Sequence, residues 1–289
     1  MMQAADLPTR RTEAWKYSDL RGALADAPVV LRDGRDVIER LAPQTAHRVI
    51  EPGAQGYVVE RLDKSTLDAR AADFDVGTGA TLTRVVIQSG QGIPLSMARV
   101  RLGAGARLRQ VILAEGAQIA RIETHVSVEG EGARVELNGI YMCGAGCHAD
   151  LTSVIEHKAP GGQTRQLIKG VAARGGRGVF QGKIVVAREA QRTDARQHHQ
   201  GMLLEEGAEI LAKPELMIHA DDVQCAHGNT AGGLDERGLF YLRARGIPER
   251  EARALLIEAF LLEALPEGLP PEIDSELRGR VSAWLGGAA

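Results

Sequence analysis

A short motif of glycine, alanine, any residue and an aliphatic residue recurs through the middle of the chain and constrains the fold. It occurs at Gly79–Leu82, Gly105–Leu108, Gly132–Val135 and Gly207–Ile210. The first three copies begin 26 and 27 residues apart, and the fourth begins 75 residues after the third, about three such periods. A further copy, Gly116–Ile119, falls between turns of this repeat. Each copy opens an alternating run of strand length, so the pattern indicates short strands separated by glycine turns.

Short strands that recur roughly every 20–30 residues predict a β-solenoid, in which each coil stacks on the next and buries aliphatic side chains. Only 3% of the residues are aromatic, and ladders of Val, Ile and Leu suit a narrow interior. A β-sandwich with fortuitous Gly-Ala turns is the alternative. The absence of helical periodicity in this zone argues against folds that alternate strands with helices.

Three zones divide the 289 residues. Residues 1–45 form an N-terminal segment that is compatible with short helices, residues 46–234 form the solenoid core, and residues 235–289 read as helices. The helical zone is expected either to cap the open end of the solenoid or to provide a docking surface with an apolar stripe. The helix predicted after Pro248 carries the stripe Leu255, Leu256, Ala259, Phe260 and Leu262.

Composition narrows the class of protein. The net charge of −3 gives no reason to expect a nucleic acid or an acidic membrane as a partner. Three cysteines are an odd number, which argues against a disulfide framework and favours a reducing compartment. The N-terminus has no apolar signal region and no window has the length of a transmembrane helix. These features predict a cytoplasmic protein.

Cys225 and His227 are the strongest candidates for a functional site. On a strand, residues two positions apart face the same side, with their Cα atoms about 6.6 Å apart. Two ligands do not complete a tetrahedral metal site, so the pair is either structural or shared with groups elsewhere, including another chain. The Cys143, Cys147 and His148 cluster matches no common zinc pattern, and structural roles are expected for it.

Signatures of self-sufficient enzymes are absent from the sequence. The glycines at residues 174–178 lack the Lys-Ser/Thr of a phosphate-binding loop, and no serine-hydrolase, zinc-protease or kinase motif is found. A carbohydrate-active solenoid enzyme would use aromatic sugar platforms, which two Trp and four Tyr make a poor fit. The sequence therefore predicts a protein that is not an enzyme.

Several ungapped motifs, in the same order, resemble the SufB/SufD family, and in particular its SufD branch. They are TEAWKYSDL at 12–20, GVFQGKIVV at 178–186, AQRTDA at 190–195, KPEL at 213–216, ADDVQCAHG at 220–228 and LFYLRARG at 239–246. The resemblance covers most of residues 120–262 and the short N-terminal motif. It implies a right-handed parallel β-helix with a helical C-terminal region.

The resemblance also implies a function, that of a scaffold subunit in an iron–sulfur cluster assembly complex. Such a subunit pairs with a SufB-like paralogue and docks a SufC-like ABC ATPase, whose ATP-driven motion reaches the interface where the cluster forms. No cofactor is expected to stay bound to this chain alone, and the iron–sulfur cluster is transient in the complex. The alternative within the family is the SufB-like scaffold itself, although SufB proteins carry additional cysteines. A homodimer of the isolated chain stays open.

The resemblance assigns roles to particular residues. Cys225 and His227 correspond to the partner interface and to candidate ligands of the nascent cluster. The ATPase-docking helices correspond to the stretch from Phe240 to Phe260, with Phe240, Tyr241, Leu255, Leu256 and Phe260 as the docking residues. No complete metal site is expected in this chain.

Overall fold

The computed structural model describes residues 7–25 and 29–288. Within this part of the chain, fourteen strands alternate between two sheets of seven strands each. We call them the odd sheet and the even sheet after the strand numbers. The strands are β1 (Thr45–Ile50), β2 (Gln55–Leu62), β3 (Leu67–Val76), β4 (Thr81–Gln88), β5 (Ile93–Leu102), β6 (Arg107–Glu115), β7 (Ala120–Val128), β8 (Arg134–Cys143), β9 (His148–His157), β10 (Gln163–Ala172), β11 (Arg177–Val186), β12 (Asp194–Leu203), β13 (Glu209–Ile218) and β14 (Gln224–Gly232).

Every strand pairs in parallel with the strands two positions away along the chain. One odd strand and one even strand therefore make a coil, and successive coils stack. Leu82, Leu108 and Val135 lie in direct register on β4, β6 and β8, and all three are buried in the space between the sheets. The predicted β-solenoid is confirmed, and the sandwich alternative is wrong.

Glycines of the repeat form the corners that lead into the even sheet. Gly79, Gly105 and Gly132 have φ angles of 68°, 60° and 70°, a region that residues with a Cβ rarely adopt. The Gly79 N–H donates to the Ala104 carbonyl of the next coil at 2.8 Å, so the corners also form a hydrogen-bonded stack. These glycines are the physical cause of the sequence repeat.

The fourth copy of the repeat is not at a corner that leads into the even sheet. Gly207 precedes β13 of the odd sheet, just as Gly116 precedes β7. The later even-sheet corners are held by Gly161 and by Arg192, which has a φ of 61° although it is not glycine. The interpretation of the 75 residues between the third and fourth copies as three whole periods is wrong, because the later coils are longer than the early ones.

Buried polar side chains lie on the inward face of the even sheet, although the aliphatic pattern predicted a purely apolar interior. Arg84 is fully buried, forms an ion pair with Glu60 at 2.8 Å and donates to Gln110 at 2.7 Å. Gln110 occupies the same position on the next even strand, β8 has Leu137 there, and Gln166 and Gln197 hold this position on β10 and β12. Each charge or amide is matched by partners, as burial requires, except for one oxygen of Gln197.

The N-terminal segment packs on the outer face of the odd sheet. It contains a 3-10 helix (Glu13–Trp15) and the short helices α1 (Leu20–Ala23) and α2 (Val37–Leu41). The Trp15 ring lies 4.2 Å from the guanidinium of Arg121, and the Ser18 hydroxyl donates to Asp150 at 2.7 Å. The family-like motif at residues 12–20 therefore attaches this segment to strands β7 and β9.

Three C-terminal helices follow the last strand: α3 (Glu236–Ala244), α4 (Glu249–Leu262) and α5 (Pro271–Ala288). Helices α4 and α5 pack on the outer face of the even sheet through Ile257, Leu261, Leu277 and Val281, which form one apolar cluster with strand residues such as Val111. They do not close the end of the stack, so of the two alternatives for these helices the end cap is wrong.

The predicted stripe on α4 is also wrong. The buried residues of this helix are Ala252, Ile257 and Leu261, whereas Leu255 stays exposed.

Candidate functional site

The last coil of the solenoid, which we call the terminal coil, consists of β13 and β14. Within the described residues, β13 pairs only with β11 and β14 only with β12, so each leaves one edge of backbone groups unpaired. Ile218 lies in register with Val186, which is fully buried, yet Ile218 is 42% exposed. The interior of the solenoid is therefore open at this end because no further coil covers it.

Cys225 and His227 lie on β14 at this open end. They are in register with Ala195 and Gln197 of β12, both of which are fully buried inside the solenoid. Cys225 is half-buried and His227 is exposed. Alternation places both side chains on the inner side of the coil, which is accessible because β14 is the edge strand. The structure therefore brings the two predicted residues together on one accessible surface.

The chemistry of the pair is incomplete. Burial raises the pKa of the Cys225 thiol above its ordinary value, so a metal would have to displace its proton. No group of three or more His, Cys, Asp or Glu side chains that could hold a metal ion occurs among the described residues. Cys225 and His227 can supply a thiolate and an imidazole, and the remaining ligands of an iron or iron–sulfur species would have to come from outside this part of the chain.

A hydrogen-bonded chain that the sequence did not reveal anchors β14. The Nδ1 of His199 donates to the Asn229 side chain at 2.6 Å, and its Nε2 accepts from the Tyr141 hydroxyl at 2.9 Å. The His199 ring also stacks on Phe180, with ring centroids 5.0 Å apart. Desolvation by burial lowers the pKa of His199, which keeps the imidazole neutral in this role.

The other cysteines lie far along the stack from this pair. Cys143 ends β8 and is buried, whereas Cys147 lies in the corner before β9. Burial raises the pKa of both thiols, that of Cys143 to about 12. His148 bonds to Ser18 at 2.9 Å, and desolvation lowers the pKa of His148 to about 4. These contacts assign all three to the packing of the solenoid.

A second exposed surface lies on the C-terminal helices. Phe240 and Tyr241 of α3 are 74% and 57% exposed, and Leu255 of α4 is 42% exposed. Phe240 and Tyr241 are neighbours on one short helix, so their rings leave apolar surface exposed at one place. The other two predicted docking residues, Leu256 and Phe260, are half-buried, and Phe260 packs against the apolar cluster beneath α4.

Ion pairs connect the helices to the solenoid. The ammonium of Lys169 on β10 is buried, pairs with Glu263 at the end of α4, and lies 4.4 Å from the centre of the Phe260 ring. Arg280 of α5 pairs with Glu115 of β6 at 3.0 Å. These contacts and the apolar cluster join α4 and α5 to strands of the even sheet.

Comparisons with known proteins identify relatives. The family model described as SUF system FeS cluster assembly, SufBD core domain, matches residues 39–260. The chain is 35% identical over 175 residues to the iron–sulfur cluster assembly protein SufD of Escherichia coli, which covers 60% of this chain and 41% of that protein. A SufBD family protein of Synechocystis is 32% identical over 213 residues, covering 73% of this chain and 47% of that protein.

A SufBD family protein of Mycobacterium tuberculosis is 29% identical over 249 residues, or 82% of this chain and 62% of that protein. The matched region thus spans about two fifths to three fifths of the length of these relatives. No described helix has both the length and the apolar character needed to span a membrane.

Proposed function

Because the chain belongs to the SufBD core family of the SUF iron–sulfur cluster assembly system, we propose that it is a non-catalytic scaffold subunit of such an assembly complex. In this proposal it pairs with a SufB-like paralogue and docks a SufC-like ABC ATPase. ATP-driven motion passes from the docked ATPase to the interface where the cluster is built. The observation that carries the proposal is the uncovered terminal coil with Cys225 and His227 at its edge.

The terminal coil supports the pairing. Its inward-facing residues are more exposed than the equivalent residues of the preceding coil, and its edge strands can continue the sheets into another solenoid. A paralogue with the same architecture is the partner that matches both sheets at once. Cys225 and His227 would then lie in the interface as part of a shared site, with the nascent cluster as cargo and the remaining ligands supplied by the paralogue.

The helices support the docking of the ATPase. Phe240, Tyr241 and Leu255 provide an exposed apolar surface, while the opposite side of α4 is fixed to the even sheet through Phe260 and Lys169. This arrangement suits transmission, because the docked subunit and the solenoid contact the same helix on different sides. The three free cysteines agree with a reducing compartment, and we place the complex in the cytoplasm.

Copurification with a SufB-like and a SufC-like protein tests the two interfaces separately. Ile218→Asp should abolish elution with the paralogue, because it places a charge in an apolar interface. Val49→Asp is the matched control, since Val49 is a similarly exposed aliphatic residue in the first coil. Phe240→Ala should weaken elution with the ATPase, and Tyr57→Ala should not. Retained binding by both Ile218→Asp and Phe240→Ala would overturn the proposal.

Cluster assembly by the purified complex tests the shared site. His227→Ala should reduce cluster formation while leaving the complex intact, whereas His219→Ala, at an exposed histidine before the same strand, should leave both unchanged. Equal activity of the His227→Ala complex and the unaltered complex would refute the role of the pair. If the isolated chain retains iron and sulfide after anaerobic reconstitution, the SufB-like alternative is favoured instead.

A further inference from the structure

Four arginines line a groove on the outer face of the even sheet, which we call the arginine groove. Arg107, Arg134, Arg165 and Arg196 come from β6, β8, β10 and β12, and each is exposed. The groove lies beside the face that α4 and α5 cover and has a volume of about 420 Å³. This volume is in the range of pockets that bind small molecules, roughly 300–1,000 Å³.

The register of the sheet brings the arginines together in pairs. Arg107 is directly opposite Arg134, and Arg165 is directly opposite Arg196. Neighbouring strands are about 4.8 Å apart, and like charges directly opposite one another destabilise a sheet. An anion between the guanidinium groups would remove this repulsion.

Only one of the two pairs has an acidic partner. Arg165 and Arg196 both contact the carboxylate of Asp194, whose pKa they lower through hydrogen bonds and charge. The guanidinium groups of Arg107 and Arg134 have neither a hydrogen-bonding partner nor an ion pair in the described part of the chain. Elsewhere on the strands, Arg101 pairs with Asp75 and Arg177 with Glu209.

The groove is therefore positive in a chain with a net charge of −3. Next to the groove, Arg109 of β6 lies directly opposite Glu136, to which it bonds at 3.2 Å, and it also bonds to the Glu267 carbonyl at 2.5 Å. Five guanidinium groups face two carboxylates, those of Glu136 and Asp194, which leaves a local surplus of three positive charges.

One side of the groove is neutral. Asn138, Leu167 and His198 lie in a row across β8, β10 and β12. An amide, an aliphatic side chain and an imidazole can contact an uncharged organic group and orient it by hydrogen bonds. The site thus combines anion-binding groups with a surface for an organic moiety.

We propose that the arginine groove binds a small organic ligand that carries two adjacent phosphate groups. The planar guanidinium group matches phosphate oxygens with two parallel hydrogen bonds, and the unpaired Arg107 and Arg134 are close enough to hold neighbouring phosphates. The neutral row of Asn138, Leu167 and His198 contacts the organic part. The groove ends at β12, one strand before β14 of the terminal coil, and this inference does not rest on the proposed scaffold function.

Isothermal titration of the full chain with inorganic diphosphate, at low salt and without divalent cations, tests the anion-binding part. We expect binding that weakens with added salt and that falls roughly tenfold or more in the Arg107→Gln/Arg134→Gln variant. The matched control is Arg101→Gln/Arg177→Gln, which removes the same charge from the odd sheet. Circular dichroism checks that each variant is folded.

A conservative variant keeps the test decisive if the double variant does not fold. Arg134→Lys retains the charge but not the fork of donors, and it should also weaken diphosphate binding. A triglutamate peptide tests for an acidic protein segment as the ligand. No binding by the unaltered chain, an equal loss in the control, or tighter binding of triglutamate than of diphosphate would overturn the proposal.

Discussion

Buried His157 should make the stability of the solenoid depend on pH between about 6.5 and 4. His157 ends β9, has no accessible surface and hydrogen-bonds through Nε2 to the Thr164 hydroxyl at 2.8 Å. Its Nδ1 is buried without a partner, and a Cβ on Gly162 would lie 2.4 Å from that atom. Desolvation lowers the pKa of His157 to about 4, because a proton on Nδ1 would be a buried charge with no acceptor.

The sign of the effect follows from linkage. The unfolded chain binds a proton at His157 with a pKa near 6.5, whereas the folded chain resists protonation until the pH nears 4. Stability from this residue is therefore fully present above pH 6.5 and is lost as the pH falls towards 4. At pH 5, these two pKa values correspond to a loss of about 2 kcal/mol from His157 relative to pH 7.5.

Urea unfolding of the unaltered chain and of His157→Gln at pH 7.5 and pH 5.0 measures this loss. Glutamine can retain the bond to Thr164 but does not titrate, so the loss of stability between the two pH values should be about 2 kcal/mol smaller in the variant. Comparing losses within each protein cancels any cost of the substitution itself. His219→Gln removes an exposed histidine and should keep the pH dependence of the unaltered chain. The reasoning would be refuted by the same loss in His157→Gln and in the unaltered chain.

Three further substitutions probe packing and buried charge by urea unfolding. Gly170→Ala should prevent folding or cost at least about 3 kcal/mol, because the new Cβ would lie 2.0 Å from ring atoms of Tyr141; a cost below about 1 kcal/mol would contradict this. Gly279→Ala should stabilise the chain by about 0.5–1 kcal/mol, because this position is inside α5 with nothing within 4 Å of the added Cβ, and any destabilisation would count against it. Arg121→Met should lower the free energy of unfolding by about 3–5 kcal/mol, because Asp150 would remain fully buried without the cation that lies 2.8 Å away. The double variant Arg121→Met/Asp150→Leu should recover part of that loss.

The corners and helix ends could be read from the sequence because their causes are local. The left-handed backbone at Gly79 and Gly105 favours glycine, so a stack of such corners produces a glycine repeat in the sequence. Gly246, with a φ of 87°, and Pro248, before the first residue of α4, mark helix ends in the same way. The motifs at residues 178–228 also indicated the family that the comparisons show.

Neighbouring residues could not show which sheet the Gly207 corner leads into, because the number of residues in each coil depends on how the corners pack on one another. The buried polar column has the same origin. Arg84 alternates along β4 like an inward apolar residue, and only the stacking of the coils brings it to Glu60 and Gln110.

The sequence alone predicted a solenoid of short strands followed by helices, with Cys225 and His227 on the same side of one strand. The tertiary structure decided that this strand is at the open end of the stack, that α4 and α5 cover the even sheet, and that four arginines meet on one face. The physical reason is that φ and ψ preferences act within a few residues, whereas exposure and register depend on which coils are neighbours.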